Sequence, residues 1–210
     1  MFDDRTDAGN RLAGELESRG LKADIVLGIP RGALPVARPV ADALDADLDV
    51  VVARKMGAPK NPELALGAVA SDGSVWYNES LIDRLDVSDD YLEEVRASEA
   101  NNASQKADRY RETPGLPPLE GKRVVVVDDG VATGATARAC LRQIRESSAE
   151  HVTLAVPVGS PRGLADLEGE ADEVITLEQP QSFRAVGQFY RTFGQVSDAE
   201  ALEYLDRGDR

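Results

Sequence analysis

The stretch KRVVVVDDGVATGAT, residues 122–136, decides the fold. Its four consecutive valines, Val124 to Val127, are typical of a central strand in a parallel sheet that helices cover on both faces. Asp128 and Asp129 follow at once, at the carboxyl end of the strand, where open α/β sheets bind ligands. The small residues that come next predict a tight loop and then the start of a helix.

The loop after the acidic pair favours an anion. Gly130, Thr133, Gly134 and Thr136 let the backbone approach a ligand, and amide N–H groups at a helix N-terminus bind phosphate. Paired carboxylates repel phosphate but accept hydrogen bonds from neighbouring sugar hydroxyls, so the ligand should carry a ribose and a phosphate. The lysine of a Walker loop and the GxGxxG of a dinucleotide site are both missing from this stretch. A purely structural turn between strand and helix is the alternative.

The segment VVVVDDGVATGAT resembles the phosphoribosyl pyrophosphate (PRPP) binding motif of the type I phosphoribosyltransferases, without fixing the subfamily. The resemblance implies that Asp128 and Asp129 bind the ribose hydroxyls. In hypoxanthine-guanine enzymes an aspartate, the proposed general base, stands where this chain has Ala132, and alanine is the adenine and orotate pattern. The residues implied around the 5-phosphate are Ala132, Thr133, Gly134, Ala135 and Thr136.

A second strand, turn and helix are predicted in DIVLGIPRGALPVARPVADAL, residues 24–44, with the strand at Ile25 to Ile29. Arg31 and Gly32 place a guanidinium and an open amide at the sheet's carboxyl edge, where a second anion could bind. This turn resembles the pyrophosphate loop of the same family, which implies a cis peptide, for which Arg31–Gly32 is the candidate. An ordinary turn with an exposed arginine is the alternative.

A third block supplies two adjacent cations. Val50 to Ala53 are predicted to form a buried strand, and Arg54 and Lys55 at its end would complement a diphosphate leaving group. An irregular segment and a hairpin around Asp72-Gly73 are predicted to follow. The block resembles the mobile catalytic loop of adenine and orotate phosphoribosyltransferases, which closes over PRPP and excludes water.

The remaining segments are predicted to cover the sheet. Residues 4–19 have the spacing of an amphipathic helix, in which Arg5 is interpreted as solvated or salt-bridged, with a place at the site as the alternative. A long, exposed helix is predicted from Val87 to Thr113, beginning at a Ser88 cap. His151 to Val158 are predicted to form a further buried strand, whose histidine lies away from the ligand edge.

The C-terminal segment concentrates aromatic residues, which indicates packing. It also resembles the small hood of these transferases, which implies that Phe183 stacks on a base, with Val131 beside it. The spacing of Phe183, Val186-Gly187 and Tyr190 is similar to that in hypoxanthine-guanine enzymes and favours a purine. The hood lysine that those enzymes use has no counterpart here, so the sequence leaves the base open.

Composition sets further limits. The 38 acidic and 24 basic residues give a net charge of −14, which argues against free nucleic acid as a partner and suggests adaptation to high salt. The lone cysteine, Cys140, is expected to be buried. The sequence shows neither a membrane span nor a signal peptide, so we expect a cytoplasmic protein.

Taken together, the resemblance implies one α/β domain over residues 1–210: a mostly parallel sheet flanked by helices on both faces, a flexible hairpin loop over about residues 56–78 and a small C-terminal hood over about residues 178–210. It implies transfer of ribose 5-phosphate from PRPP to a nucleobase, with Mg²⁺ carried by PRPP and touching Asp128 and Asp129 at most through water. A homodimer is usual in the family. The alternative is a non-enzymatic PRPP sensor that regulates a partner.

Overall fold

The computed structural model describes residues 1–111 and 115–206, apart from the side chain of Glu63. The strands are β1 (Ile25–Gly28), β2 (Asp47–Val50), β3 (Ala53–Ala58), β4 (Asn61–Ala70), β5 (Val75–Tyr77), β6 (Arg123–Val127), β7 (His151–Val158) and β8 (Glu173–Glu178). The helices are α1 (Arg5–Ser18), α2 (Leu34–Ala43), α3 (Glu79–Leu85), α4 (Asp89–Asp108), α5 (Ala135–Arg145), α6 (Pro161–Ala165) and α7 (Asp198–Leu205), with a 3₁₀ turn at Val186–Phe189.

The main sheet is parallel and has the strand order β2-β1-β6-β7-β8. The valine-rich strand β6 is central, and its side chains alternate between the two faces. Val124 and Val126 pack in the cluster that contains α5, whereas Val125 and Val127 pack in the cluster that contains α1 and α2. The predicted α/β fold, with helices on both faces of a mostly parallel sheet, is confirmed.

The two central strands open a crevice at their carboxyl ends. Gly28 of β1 lies beside Val127 of β6 in the sheet register, so the loops that follow these two strands start next to each other. The loop after β1 leads to α2 on one face, and the loop after β6 leads to α5 on the other. Open α/β sheets bind ligands in the crevice between loops that diverge in this way from adjacent parallel strands.

A second sheet follows β2. Strands β3, β4 and β5 are antiparallel, and they replace the irregular segment expected after Arg54-Lys55. The hairpin at Asp72-Gly73 is confirmed, with Gly73 at φ 94° and the Ala70 amide donating to the Ser74 carbonyl at 2.8 Å. The mobility expected of residues 56–78 stays a prediction.

The predicted strand Val50 to Ala53 is wrong. β2 ends at Val50, and Ala53 begins β3 in the other sheet. All four residues are buried, so one continuous apolar run crosses from one sheet to the next. Hydrophobicity therefore gives no signal of the boundary.

The predicted long helix is α4, which is shorter and less exposed than expected. The Ser88 hydroxyl accepts a hydrogen bond from the Tyr91 amide at 3.4 Å and caps the helix, as predicted. The helix ends at Asp108, and the predicted end at Thr113 lies outside the described residues. Ala103 and Ala107 are buried in a cluster with side chains of α2 and β2. Within residues 1–111 and 115–206 we find no helix with the length and apolarity needed to cross a bilayer.

Replacing Leu154 tests this arrangement of the core. Leu154 lies in β7 with no exposed surface, and Leu154→Ala should lower the free energy of unfolding by about 2–5 kcal/mol because it leaves a cavity in the central layer. Urea unfolding measures the change. Leu202→Ala in α7 is the matched control, because Leu202 is 44% exposed and should cost less than about 1 kcal/mol. Equal losses in the two variants would contradict the assignment of β7 to the core.

Candidate functional site

The two loops after β1 and β6 meet at one glycine. A Cβ atom on Gly32 would lie 2.3 Å from Oδ2 of Asp129, well inside van der Waals contact. Only glycine lets the backbone come this close to the carboxylate. The structure therefore brings the predicted anion turn, at Arg31 and Gly32, directly against the predicted sugar-binding pair.

The acidic pair is mostly buried. Asp128 Oδ1 accepts the amide N–H of Asp129 at 2.9 Å, and among the described residues no donor reaches Asp128 Oδ2. Burial raises the pKa of Asp128 well above its usual range, with the charge of Asp129 adding to the effect. Burial also raises the pKa of Asp129, against the opposing charge of Arg5. Carboxylates in this setting gain from new hydrogen-bond donors, which a sugar diol supplies.

Arg5 holds the second carboxylate in place. Its Nε donates to Asp129 Oδ2 at 2.8 Å, and the two side chains are only 12% and 15% exposed. Its Nη1 donates to the Gly194 carbonyl at 2.7 Å, and its guanidinium lies 3.7 Å from the centroid of the Phe193 ring. Arg5 is therefore both salt-bridged and at the site, which combines the two interpretations that the sequence left open.

The loop after the acidic pair presents unused amides. Among the described residues we find no hydrogen-bond acceptor for the amides of residues 132–136, which precede and begin α5. Gly134 takes φ 75° at the helix N-terminus, a conformation that favours glycine. The Ser160 hydroxyl donates a hydrogen bond to the Ala132 carbonyl at 2.5 Å, which holds the loop in place. Unpaired amides at the N-terminus of an eleven-residue helix can bind an anion.

Two of the three predicted cations, Arg31 and Arg54, line one cavity. Arg31 is 40% exposed and pairs with Asp198 at 3.5 Å, and Arg54 is 46% exposed and pairs with Glu99 at 3.0 Å. Both line a cavity of about 350 Å³ against α4. Lys55 is half-buried in β3 and is not among the described residues that line this cavity.

The cis peptide bond is Pro30–Arg31, so the predicted Arg31–Gly32 bond is wrong by one position. The sequence locates the turn, but it does not distinguish between neighbouring peptides of the same turn. The Pro30 carbonyl accepts a hydrogen bond from Lys106 Nζ at 2.5 Å. Sequence analysis missed Lys106, although it falls in the stripe of Ala103, Ala107 and Tyr110 that α4 buries.

The hood is anchored on the acidic-pair loop. The Tyr190 hydroxyl donates to the Asp129 carbonyl at 2.6 Å, and a Cβ on Gly130 would lie 2.6 Å from Val186 Cγ1. Phe183 is half-buried, with its ring centroid 5.2 Å from that of Phe189. The predicted hood over residues 178–210 includes residues 207–210, which lie outside the described residues.

Val131, which the resemblance places beside the base, has a buried side chain. It is 2% exposed, its amide donates to the Val158 carbonyl at 2.9 Å, and its carbonyl accepts from the Ser160 amide at 2.8 Å. The side chain is in the core and both backbone groups are paired. The base contact implied for Val131 stays a prediction.

Comparison with known proteins gives one consistent result. A family model described as the phosphoribosyl transferase domain matches residues 63–193. Two proteins of Mycobacterium tuberculosis, from strains CDC 1551 and H37Rv, are named as phosphoribosyl transferases with no substrate specified. Each is 44% identical over 210 residues, which are 100% of this chain and 47% of the relative. The chain thus spans about half the length of these curated relatives, at 47%.

One further sequence relative and two solved structures are also similar to this chain. A uracil phosphoribosyltransferase of Nocardioides sp. is 34% identical over 114 residues, which are 51% of each chain. The crystal structure of TT1426 from Thermus thermophilus superposes with a TM-score of 0.81 at 42% identity, covering 98% of this chain and 97% of that one. The AQ2163 protein of Aquifex aeolicus, at 18% identity and a TM-score of 0.51 over 82% and 73% of the two chains, shares the fold.

Asp128→Asn should stabilise the ligand-free protein above about pH 4. The folded-state pKa of Asp128 is raised, so its effect on stability is most favourable below the unfolded-state pKa and is lost as the pH rises through the folded-state pKa. Asparagine removes this loss and can still accept the Asp129 amide. Urea unfolding between pH 5 and 8 measures the difference, and Asp108→Asn, at an exposed position in α4, is the control. An Asp128→Asn variant less stable than wild type across this range would contradict the expectation.

Proposed function

Because the chain belongs to the phosphoribosyl transferase family, we propose that it transfers ribose 5-phosphate from PRPP to a nitrogen of a nucleobase and releases pyrophosphate. One observation carries this assignment: unused amides, paired carboxylates and a cationic turn lie side by side in a single crevice at the ends of β1 and β6. Their order corresponds to the order of phosphate, ribose and diphosphate along PRPP.

The 5-phosphate binds at the N-terminus of α5. The open amides of residues 132–136 donate to its oxygens, and the hydroxyls of Thr133 and Thr136 stand beside them. Asp128 and Asp129 accept hydrogen bonds from the two ribose hydroxyls. Each of these bonds gives a hydrogen-bond donor to a mostly buried carboxylate, so binding relieves part of the cost of burial.

The diphosphate binds on the far side of Gly32. Arg31, Arg54 and Lys55 stabilise the negative charge that develops on this leaving group, with the Gly32 amide as a further donor. The sugar ring becomes positive as its bond to the diphosphate breaks, as in other glycosyl transfers. The carboxylates of Asp128 and Asp129 favour that positive charge, so the site supports both ends of the breaking bond.

Magnesium enters with PRPP. The described residues contain no group of three or more His, Cys, Asp or Glu side chains placed to hold a metal ion. Diphosphate oxygens and water can provide most of the ligands of Mg²⁺, and the uncommitted Oδ2 of Asp128 suits a contact through water. Bound Mg²⁺ would neutralise charge on the leaving diphosphate.

The base enters beneath the hood. Phe183 is half-buried, and its ring is available for stacking on a planar heterocycle. Ala132 carries no acidic or basic group. The attacking nitrogen of the nucleobase therefore loses its proton through the nucleobase's own acidity, or directly to solvent. A purine is the first candidate for the acceptor, and a pyrimidine is tested beside it.

The reaction assay is direct. The protein is incubated with PRPP, Mg²⁺ and, separately, adenine, hypoxanthine, guanine, uracil or orotate, at low and high salt, and pyrophosphate release is measured. Release that depends on one base, with formation of the matching nucleotide, supports a transferase. Binding of PRPP without base-dependent release would refute the transferase in favour of a PRPP sensor.

Removing the two predicted leaving-group cations should slow the chemistry. The double variant Arg54→Ala, Lys55→Ala should lower kcat by about 100-fold, because charge on the departing diphosphate loses its counter-charges. Steady-state kinetics with the base identified above measure the change. Arg84→Ala, at an exposed position in α3, should leave kcat within about twofold of wild type. An unchanged kcat in the double variant would exclude Arg54 and Lys55 from the reaction.

A further inference from the structure

We propose that Lys106, on α4, is a substrate-binding residue of the diphosphate subsite. This deepens the proposed function and rests on it. The lysine lies outside the three segments that the sequence assigned to the ligand, on a helix expected to be exposed. Its ammonium group would bind the diphosphate of PRPP or free pyrophosphate.

The geometry of Lys106 directs it inward. The neighbouring Ala103 and Ala107 on the same face of α4 are buried, so the side chain starts from the packed side of the helix. Its Nζ reaches the Pro30 carbonyl at 2.5 Å, at the start of the turn that carries Arg31 and Gly32. The ammonium therefore lies at the edge of the crevice and not in bulk solvent.

The charges around Lys106 leave it in need of an anion. Burial lowers the pKa of Lys106, and the nearby charges of Arg54 and Arg31 lower it further, against the smaller opposing effect of Asp198. Among the described residues, its only hydrogen-bond acceptor is the neutral Pro30 carbonyl. An ammonium that is partly desolvated beside two guanidinium groups is costly unless an anion joins it.

The cavity next to Lys106 fits a small, highly charged anion. It has a volume of about 350 Å³, and four cations lie on its walls in a chain whose net charge is −14. Asp198 supplies the single carboxylate of the described lining, and it pairs with Arg31 at 3.5 Å and with Arg109 at 3.4 Å. The described residues that line the cavity are Arg31, Arg54, Asn102, Gln105, Lys106, Arg109 and Asp198.

Lys106 also acts on the sugar side of the crevice. Its positive charge opposes the rise in the pKa of Asp128, as does that of Arg5. The ammonium is thus close enough to influence both the ribose-binding carboxylate and the arginines of the diphosphate side.

Binding measurements with three probes test the assignment. Calorimetry of wild type, Lys106→Gln and Lys106→Arg uses PRPP with Mg²⁺, inorganic pyrophosphate with Mg²⁺, and ribose 5-phosphate. Glutamine can keep the hydrogen bond to the Pro30 carbonyl but carries no charge. We expect Lys106→Gln to weaken PRPP and pyrophosphate binding by about tenfold or more and ribose 5-phosphate binding by less than about twofold, because the lysine acts on Asp128 only at a distance. Lys106→Arg should recover most of the lost affinity.

The outcomes separate a binding role from a structural one. Lys22→Gln, at an exposed position before β1, is the matched control and should bind all three probes like wild type. Equal weakening for ribose 5-phosphate and PRPP would overturn the assignment in favour of a purely structural lysine, as would unchanged binding in Lys106→Gln. If Lys106→Gln unfolds, Lys106→Met carries the same test. Failure of the wild-type protein to bind PRPP would instead refute the proposed function itself.

Discussion

The ion pair between Arg5 and Asp129 is the constraint on which the site depends. The two residues are 124 positions apart in the sequence and 2.8 Å apart in the structure. The same guanidinium lies over the Phe193 ring, so α1, the end of β6 and the C-terminal segment meet at one charged group. Removing one partner of a buried ion pair leaves the other charge buried without a partner, which typically lowers the free energy of unfolding by about 3–5 kcal/mol. The shape of the crevice and the stability of the fold are therefore coupled through Arg5.

Two regions of opposite charge meet at the turn of Arg31 and Gly32, because Gly32 lies against Asp129 and Arg31 lines the cationic cavity. Asp128 and Asp129 form a mostly buried acidic surface, and arginines and a lysine line the cationic cavity. Such a separation of charge is unfavourable in an empty site and becomes favourable when a ligand brings the complementary pattern. A sugar that carries neighbouring hydroxyls on one edge and a diphosphate beside them has that pattern. Selectivity for the whole ligand then follows from distance as well as charge.

Many features of the fold and of the candidate site could be predicted from local sequence patterns, and others could not. The valine run, the acidic pair, the Ser88 cap and the turn at Asp72-Gly73 follow from rules that act over a few residues, and the structure agrees with each of them. The boundary between β2 and β3 and the identity of the cis peptide are hidden because neighbouring residues carry the same signal. Contacts between residues far apart in the sequence, such as Arg5 and Asp129, have no local sequence pattern that predicts them. Lys106 is an intermediate case, because a charged residue in an otherwise apolar helical stripe is itself a signal.

The position of β6 between β1 and β7 has a consequence for how the chain folds during synthesis. β1 leaves the ribosome about a hundred residues before its central partner, so the main sheet cannot close until most of the chain has emerged. The antiparallel strands β3 to β5 and the helices after them have near neighbours and can order first. Until β6 arrives, the edge of β1 that β6 pairs with has no strand partner, and unpaired edges of this kind favour aggregation of a nascent chain.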